Sequence, residues 1–184
     1  MRSNLGGGRP RYREPERGPW PGVMSVVFAH PYPLLYRNDV VTDERKVSAM
    51  GTGSGTRDDP WVLTTPPGSS EYQMWRDEEA DPPALVCQVG KTQLRYHLRA
   101  IEDLHAMLAA HGDWMPLGGA DEQKPAPEGS VEAWARAADN PVGGWYGLKK
   151  GLRGRFGVYV PPLLEALGKA EVTHERRNNE MRAI

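Results

Sequence analysis

The sequence predicts an α+β protein in which a small antiparallel sheet with a covering helix is followed by a helical region ending in a β-hairpin. Three patterns carry that prediction. Apolar residues alternate on both sides of Gly90-Lys91, they recur at helical spacing over residues 99–111, and residues 163–184 run from a short apolar stripe into a charged segment that pairs with itself. The chain divides accordingly into residues 1–49, 50–129 and 130–184.

Residues 1–49 show no sustained periodicity. A glycine run at 6–8 and scattered Arg and Pro predict disorder, with at most a transient strand at 23–29. Gly8-Arg9-Pro10-Arg11 is one arginine short of the minor-groove core Arg-Gly-Arg-Pro, because Gly7 stands where the first arginine belongs; insertion into a minor groove is therefore not expected. Glu44-Arg45-Lys46 can be encoded by a purine run that resembles a bacterial ribosome-binding site, closely followed by Met50. A native start at Met50 and an ordinary flexible tail are both compatible with the break in composition.

Beyond Met50 the elements follow in order. Gly51, Gly53 and Gly55 neither follow a strand nor open a helix, and no Gly-Lys-Ser/Thr succeeds them, so they form a flexible lead-in rather than a phosphate cradle. Residues 61–63 and 71–76 read as strands separated by a turn containing Pro66-Pro67-Gly68. With Gly90-Lys91 as a two-residue turn, Leu85 faces Tyr96, Cys87 faces Leu94 and Val89 faces Thr92, all on one side of the sheet. That side needs a cover. Residues 99–111 supply one, with Ile101, Leu104 and Leu108 at helical spacing and Gly112 as the stop. Residues 112–129 are a polar connection rich in Pro and Gly.

Ser130 is placed to cap a helix over 131–138, which ends before Asp139-Asn140-Pro141. Residues 140–156 then combine repeated Gly with Trp145, Tyr146 and the basic residues Lys149, Lys150, Arg153 and Arg155. Pro161-Pro162 suit the first turn of a terminal helix, Leu163, Leu164 and Leu167 its stripe, and Gly168 its end. If Asn178-Asn179 make a two-residue turn, Arg177 faces Glu180 and Glu175 faces Arg182. Val172, His174, Arg176, Met181 and Ala183 then share the other face, which packs partly onto the domain.

Composition limits the function classes. The 184 residues suffice for one domain or two small ones, and a single cysteine excludes an internal disulfide framework. No apolar run reaches the roughly 18 residues of a membrane span, and residues 23–29 lack the flanks of a signal peptide. The expected setting is the cytoplasm, with no membrane contact. The net charge of −1 conceals an uneven distribution: residues 1–49 carry 8 basic and 5 acidic side chains, 50–148 carry 7 and 15, and 149–184 carry 8 and 4. The basic end favours an anionic partner such as DNA.

Residue types that could carry catalysis do not assemble into a site. Cys87 and His97 project from opposite faces of the expected sheet, so the thiol reads as a small buried apolar group. Glu102 and His105 have the spacing of a di-iron ligand pair, but the second pair and the further glutamates that such a centre requires are missing from the sequence. Asp77, Glu78, Glu79 and Asp81 read as a solvated loop. No cofactor is expected. The tryptophans at 61, 75, 114, 134 and 145 read as anchors of the core or of the contact between the two halves.

Residues 50–184, including GTRDDPWVLTTPPGSSEY, AIEDLHAMLAAHGDWMPLG and DNPVGGWYGLKKGLRGRFGVYVPPLLEALG, resemble a small family of uncharacterised actinobacterial proteins. That resemblance implies no known activity. Residues 163–184 also resemble the last helix and wing of winged-helix regulators, from which they depart in the Pro pair and in Lys169 at the entry to the wing. One reading is a nucleic-acid-binding or regulatory protein whose basic C-terminal region presents Lys149, Lys150, Arg153, Arg155, Arg176 and Arg177 to phosphates, with Asn178 and Asn179 approaching a groove. The alternative is a protein-protein interaction or structural module with no catalytic activity.

Overall fold

The computed structural model describes residues 52–184. The expectations for the tail, including the strand at 23–29, the partial minor-groove motif and the start at Met50, lie outside the described residues. The observed class is mixed α and β. Strands β1 (Trp61–Thr64), β2 (Glu71–Asp77), β3 (Ala84–Val89) and β4 (Thr92–His97) form an antiparallel sheet in sequence order. Helix α1 (Ala100–His111) follows, then the short strand β5 (Met115–Pro116), helix α2 (Val131–Trp134), helix α3 (Phe156–Ala166), and strands β6 (Ala170–Val172) and β7 (Glu180–Ala183). The last two strands join β5 in a second sheet of order β5-β7-β6.

The β3–β4 hairpin has the expected register: Leu85 pairs with Tyr96, Cys87 with Leu94 and Val89 with Thr92. Gly90 takes the left-handed conformation (φ 54°) that a two-residue turn demands. Helix α1 ends at a left-handed Gly112, whose N–H closes on Leu108 O. Ser130 caps α2 by accepting the Ala133 N–H at 3.2 Å, although the α-helix runs for only 4 residues.

Three expectations change. The cover over the first sheet is provided chiefly by α3, which lies against β1, while α1 packs on β7 and α3. Aromatic contacts make the joint: Tyr72 meets Tyr159 edge-on at 5.0 Å, Tyr96 meets Phe156 at 5.5 Å, and the Tyr72 hydroxyl donates to Tyr159 O at 2.7 Å. Second, α3 begins at Phe156, so Pro161 and Pro162 lie inside the helix rather than in its first turn. Burial of Phe156, Gly157 and 159–164 supplies the stabilisation that offsets their missing N–H donors. Third, the terminal hairpin has another register: Ala170 pairs with Ala183, Glu171 with Arg182 and Val172 with Met181. Arg182 therefore bonds Glu171 (2.6 Å) rather than Glu175. The connection is a longer loop, because Asn179 turns inward and bonds the loop's own backbone instead of forming a tight turn.

Among the described residues, both sheets and all three helices contribute to one buried cluster. It runs from Trp61, Leu63 and Met74 through Leu85, Leu104 and Leu108 to Leu163, Leu164 and Met181. No helix among the described residues is long and apolar enough to cross a membrane.

Candidate functional site: a basic groove beside the β6–β7 loop

A groove of about 1110 Å³ opens beside the β6–β7 loop. Its walls are that loop, the β1–β2 turn, the strap of residues 116–127 and the start of α3. The loop and the strap are each fixed by hydrogen bonds of their own side chains and neighbours.

The loop is built on Asn179 and Thr173. Asn179 Oδ1 accepts the Glu175 N–H at 2.7 Å, its Nδ2 donates to Glu175 O at 2.8 Å, and Thr173 Oγ1 accepts the Glu180 N–H at 2.8 Å. These bonds mimic backbone pairing inside the loop. They leave Arg176, Arg177 and Asn178 exposed at its tip, with Asn178 left-handed at φ 55°. Asn179 itself is buried, and its carbonyl accepts the Leu117 N–H at 2.8 Å, joining loop to strap.

The strap lies against α3 because two glycines admit it. A Cβ on Gly157 would run into the Leu117 carbonyl oxygen, and one on Gly154 into the Glu122 amide. Behind the strap, Glu132 is fully buried and accepts the Gly157 N–H at 2.8 Å and Arg136 Nε at 2.9 Å. Burial pushes its carboxyl above the usual range, and the Gly157 amide and Arg136 pull it back part of the way. Arg136 spends its other donors on strap carbonyls, reaching Ala120 O at 2.6 Å and Lys124 O at 2.8 Å. Trp145 is held between two guanidiniums, Arg136 at 4.5 Å and Arg153 at 4.6 Å from its ring.

The structure divides the eight sequence-derived candidates into two groups. Arg155, Arg176, Arg177, Asn178 and Asn179 line the groove; Lys149, Lys150 and Arg153 do not. Arg153 is committed to Glu122, with Nη2 at 2.7 Å and its backbone N–H at 2.9 Å from the carboxylate. Arg155 is committed to Asp121 at 2.6 Å. These arginines hold the Glu122 and Asp121 carboxyls below their ordinary range, chiefly through the side-chain hydrogen bonds, with Lys124 adding a second bond at Asp121. Arg176, Arg177, Lys149 and Lys150 have no ion-pair partner among the described residues. Two unpaired guanidiniums and one exposed amide thus border a groove with apolar stretches at Pro66, Pro67, Leu117 and Val158.

Sequence reasoning missed Lys124, Asp121 and the Pro66-Pro67 wall. They sit in turn-rich connections, and nothing in the spacing of the chain points from them to residues 176–179. Cys87 is fully buried, and burial pushes its thiol far up, away from the thiolate that nucleophilic chemistry needs. Among the described residues no three of His, Cys, Asp and Glu are grouped to hold a metal ion.

Two exposed guanidiniums beside a groove are an arrangement suited to an anion. No curated protein and no solved structure matches the chain. A protein-family model does match residues 53–184, nearly the whole of the described region, and the chain therefore belongs to the DUF6855 family of unknown function.

Proposed function

We propose that the protein binds nucleic acid through the β6–β7 loop, with phosphates meeting Arg176 and Arg177 and the strand running along the groove. The observation that carries this reading is that Arg176 and Arg177 are exposed, unpaired among the described residues, and mounted on a loop whose shape is fixed by Asn179 and Thr173. Pre-shaped, uncompensated guanidiniums are what phosphate recognition uses. Arg153 and Arg155 contribute less, since Glu122 and Asp121 already neutralise them. Lys149 and Lys150, exposed in a turn, act as outlying phosphate contacts. Asn178 is the exposed amide available to the ligand, whereas the Asn179 side chain is spent within the loop.

The winged-helix-like outline of residues 130–184 is part of this proposal, supported by a helix that leads directly into the β6–β7 hairpin. The division of labour differs from that of a recognition helix in a major groove. Residues 159–164 of α3 are buried, so the wing loop carries the contact.

Fluorescence anisotropy of the full chain with labelled single-stranded and duplex oligonucleotides tests the reading. Affinity should fall with rising salt at a log–log slope of about −2 to −4, as a few neutralised phosphates give. Arg176→Glu with Arg177→Glu should abolish binding while leaving the fold intact. Absence of binding at low salt defeats the proposal. The second reading, a protein-binding module, draws on the prolines of the groove wall, Pro66, Pro67, Pro116, Pro125 and Pro127. Apolar rigid walls beside two cations suit an acidic peptide, and it would be tested by titrating an acidic peptide in the same assay.

A further inference from the structure

The β6–β7 loop is fastened at its base by a histidine whose two ring nitrogens both meet acceptors. His174 Nδ1 lies 3.1 Å from the Pro66 carbonyl oxygen, and Nε2 lies 3.1 and 3.0 Å from the two carboxylate oxygens of Glu165. A peptide carbonyl only accepts, so a hydrogen bond there needs the proton on Nδ1. An ionised carboxylate only accepts as well, and Glu165 also takes the Val172 N–H at 3.3 Å. Both contacts are hydrogen bonds at once only when Nε2 carries a proton too. The imidazolium satisfies both contacts, whereas a neutral ring satisfies one and turns a lone pair toward the carboxylate at the other.

The fastened parts are two walls of the groove. Pro66 and Pro67 belong to the β1–β2 turn, and Arg176, Arg177 and Asn178 follow His174 in the loop. The internal bonds of Asn179 and Thr173 fix the shape of the loop; His174 fixes where it sits against the turn and against α3. The surrounding charges are few. From α3 the facing group is Glu165, near which lies Tyr72 of β2, whose hydroxyl is bonded to Tyr159 O. The β1–β2 turn carries no charged side chain over 65–70, and in β6 Glu171 is occupied by Arg182. On the loop itself Glu175 and Arg176 are exposed.

We infer that His174, in its protonated form, is the positioning residue that sets Arg176 and Arg177 at the groove, so that the groove holds an anion less well as the histidine loses its proton. The inference rests on the anion-site reading above, but the clamp itself is observable without any ligand. The sign is fixed by linkage: a proton that favours the clamped form favours whatever binds that form, so affinity falls as pH rises. His174 is about half exposed, with 46% of its side chain accessible. Its ion pair is therefore screened, and the expected loss of affinity is about two- to fivefold.

The experiment uses the full ¹⁵N-labelled chain from about pH 5.5 to 8.5, the interval in which histidines titrate. Amide signals of Arg176, Arg177 and Asn178 should shift in step with the His174 ring, and His174→Gln, which cannot take up a proton, should flatten them. Anisotropy of a labelled oligonucleotide, whose phosphodiesters do not titrate in this interval, should then lose affinity with pH in the wild type alone. An equal pH slope in H174Q overturns the inference, as do wild-type loop amides that fail to move. If the amides behave as expected and the oligonucleotide binds at no pH, the clamp stands and the anion-site reading falls. Should H174Q not fold, Glu165→Gln replaces it: removal of the carboxylate should diminish the pH response of the loop amides, and an undiminished response defeats the clamp.

Discussion

The two hairpins of this protein solve the same geometrical problem by different means. In β3–β4 the chain reverses in two residues, Gly90 and Lys91, and the ladder runs unbroken from Val89 and Thr92 to Ala84 and His97. In β6–β7 the ladder has 3 paired positions and the reversal spans residues 173–179. There the register comes from side chains, through Asn179 and Thr173 inside the loop and His174 at its base. A tight turn fixes register from sequence-local information alone, whereas a side-chain-built loop takes its register from what it is packed against. The second kind leaves its tip free, and the unpaired arginines sit there.

The largest expected effect breaks the first hairpin from its buried face. Leu85 is fully buried, and Leu85→Ala should cost about 2–5 kcal/mol in urea unfolding, because the cavity cannot collapse between neighbouring strands. The loss should be global, with a single shifted transition. The second hairpin should break differently. Asn179→Ala removes three bonds within the loop and orphans the Glu175 N–H, at a cost of about 1–3 kcal/mol. Hydrogen exchange should accelerate at Glu175 and Glu180 while the β3 and β4 amides stay protected. Equal acceleration in both hairpins would contradict the distinction.

What the sequence made legible follows the same division. The β3–β4 register, the end of α1 at Gly112 and the Ser130 cap each depend on residues within a few positions of one another, and each was readable. Helix α3 was read too short because residues 156–160 are apolar or glycine throughout and buried on nearly every side, which leaves no amphipathic stripe to mark a helix before Pro161. The terminal register was misread because pairing Arg177 with Glu180 and Glu175 with Arg182 satisfies charge as well as the observed Glu171–Arg182 pair does. Charge complementarity on a surface is too weak to choose a register. At the site, the basic residues were legible as types but their commitments were not. Arg153 finds Glu122 across 31 positions and Arg155 finds Asp121 across 34, separations over which spacing carries no information.

Acid should separate the groove from the first sheet. Asp121 and Glu122 hold their protons less tightly in the folded chain than in the unfolded one, through Arg155 and Arg153 respectively. Depressed carboxyls contribute stability that is present above the unfolded value, about pH 4, and is lost as pH falls through it toward the folded value. The strap should therefore loosen below about pH 4. The Trp145 indole signal should report it, since one of the two guanidiniums on that ring belongs to Arg153. Amides of β3 and β4, held by backbone pairing, should remain protected at that point. Simultaneous loss of both sets would mean that the strap is not an independent acid-labile element.

The smallest expected effect isolates the turn residues themselves, because both hairpins place one residue in the left-handed region, Gly90 at φ 54° and Asn178 at φ 55°. No heavy atom lies within 4 Å of a Cβ built on Gly90. Gly90→Ala therefore carries only the backbone cost of a left-handed alanine, about 1 kcal/mol. Gly90→Asn should cost less, since asparagine tolerates this conformation. Asn178 already meets the requirement with the residue type that Gly90 would accept, and Asn178→Gly should leave stability within about 0.5 kcal/mol of the wild type. The sharper reading comes from binding: G90A should leave oligonucleotide affinity unchanged, whereas N178G removes the one exposed amide at the groove and frees the loop tip. A loss of affinity in N178G without a loss of stability would separate what the second hairpin needs in order to fold from what it presents to a ligand.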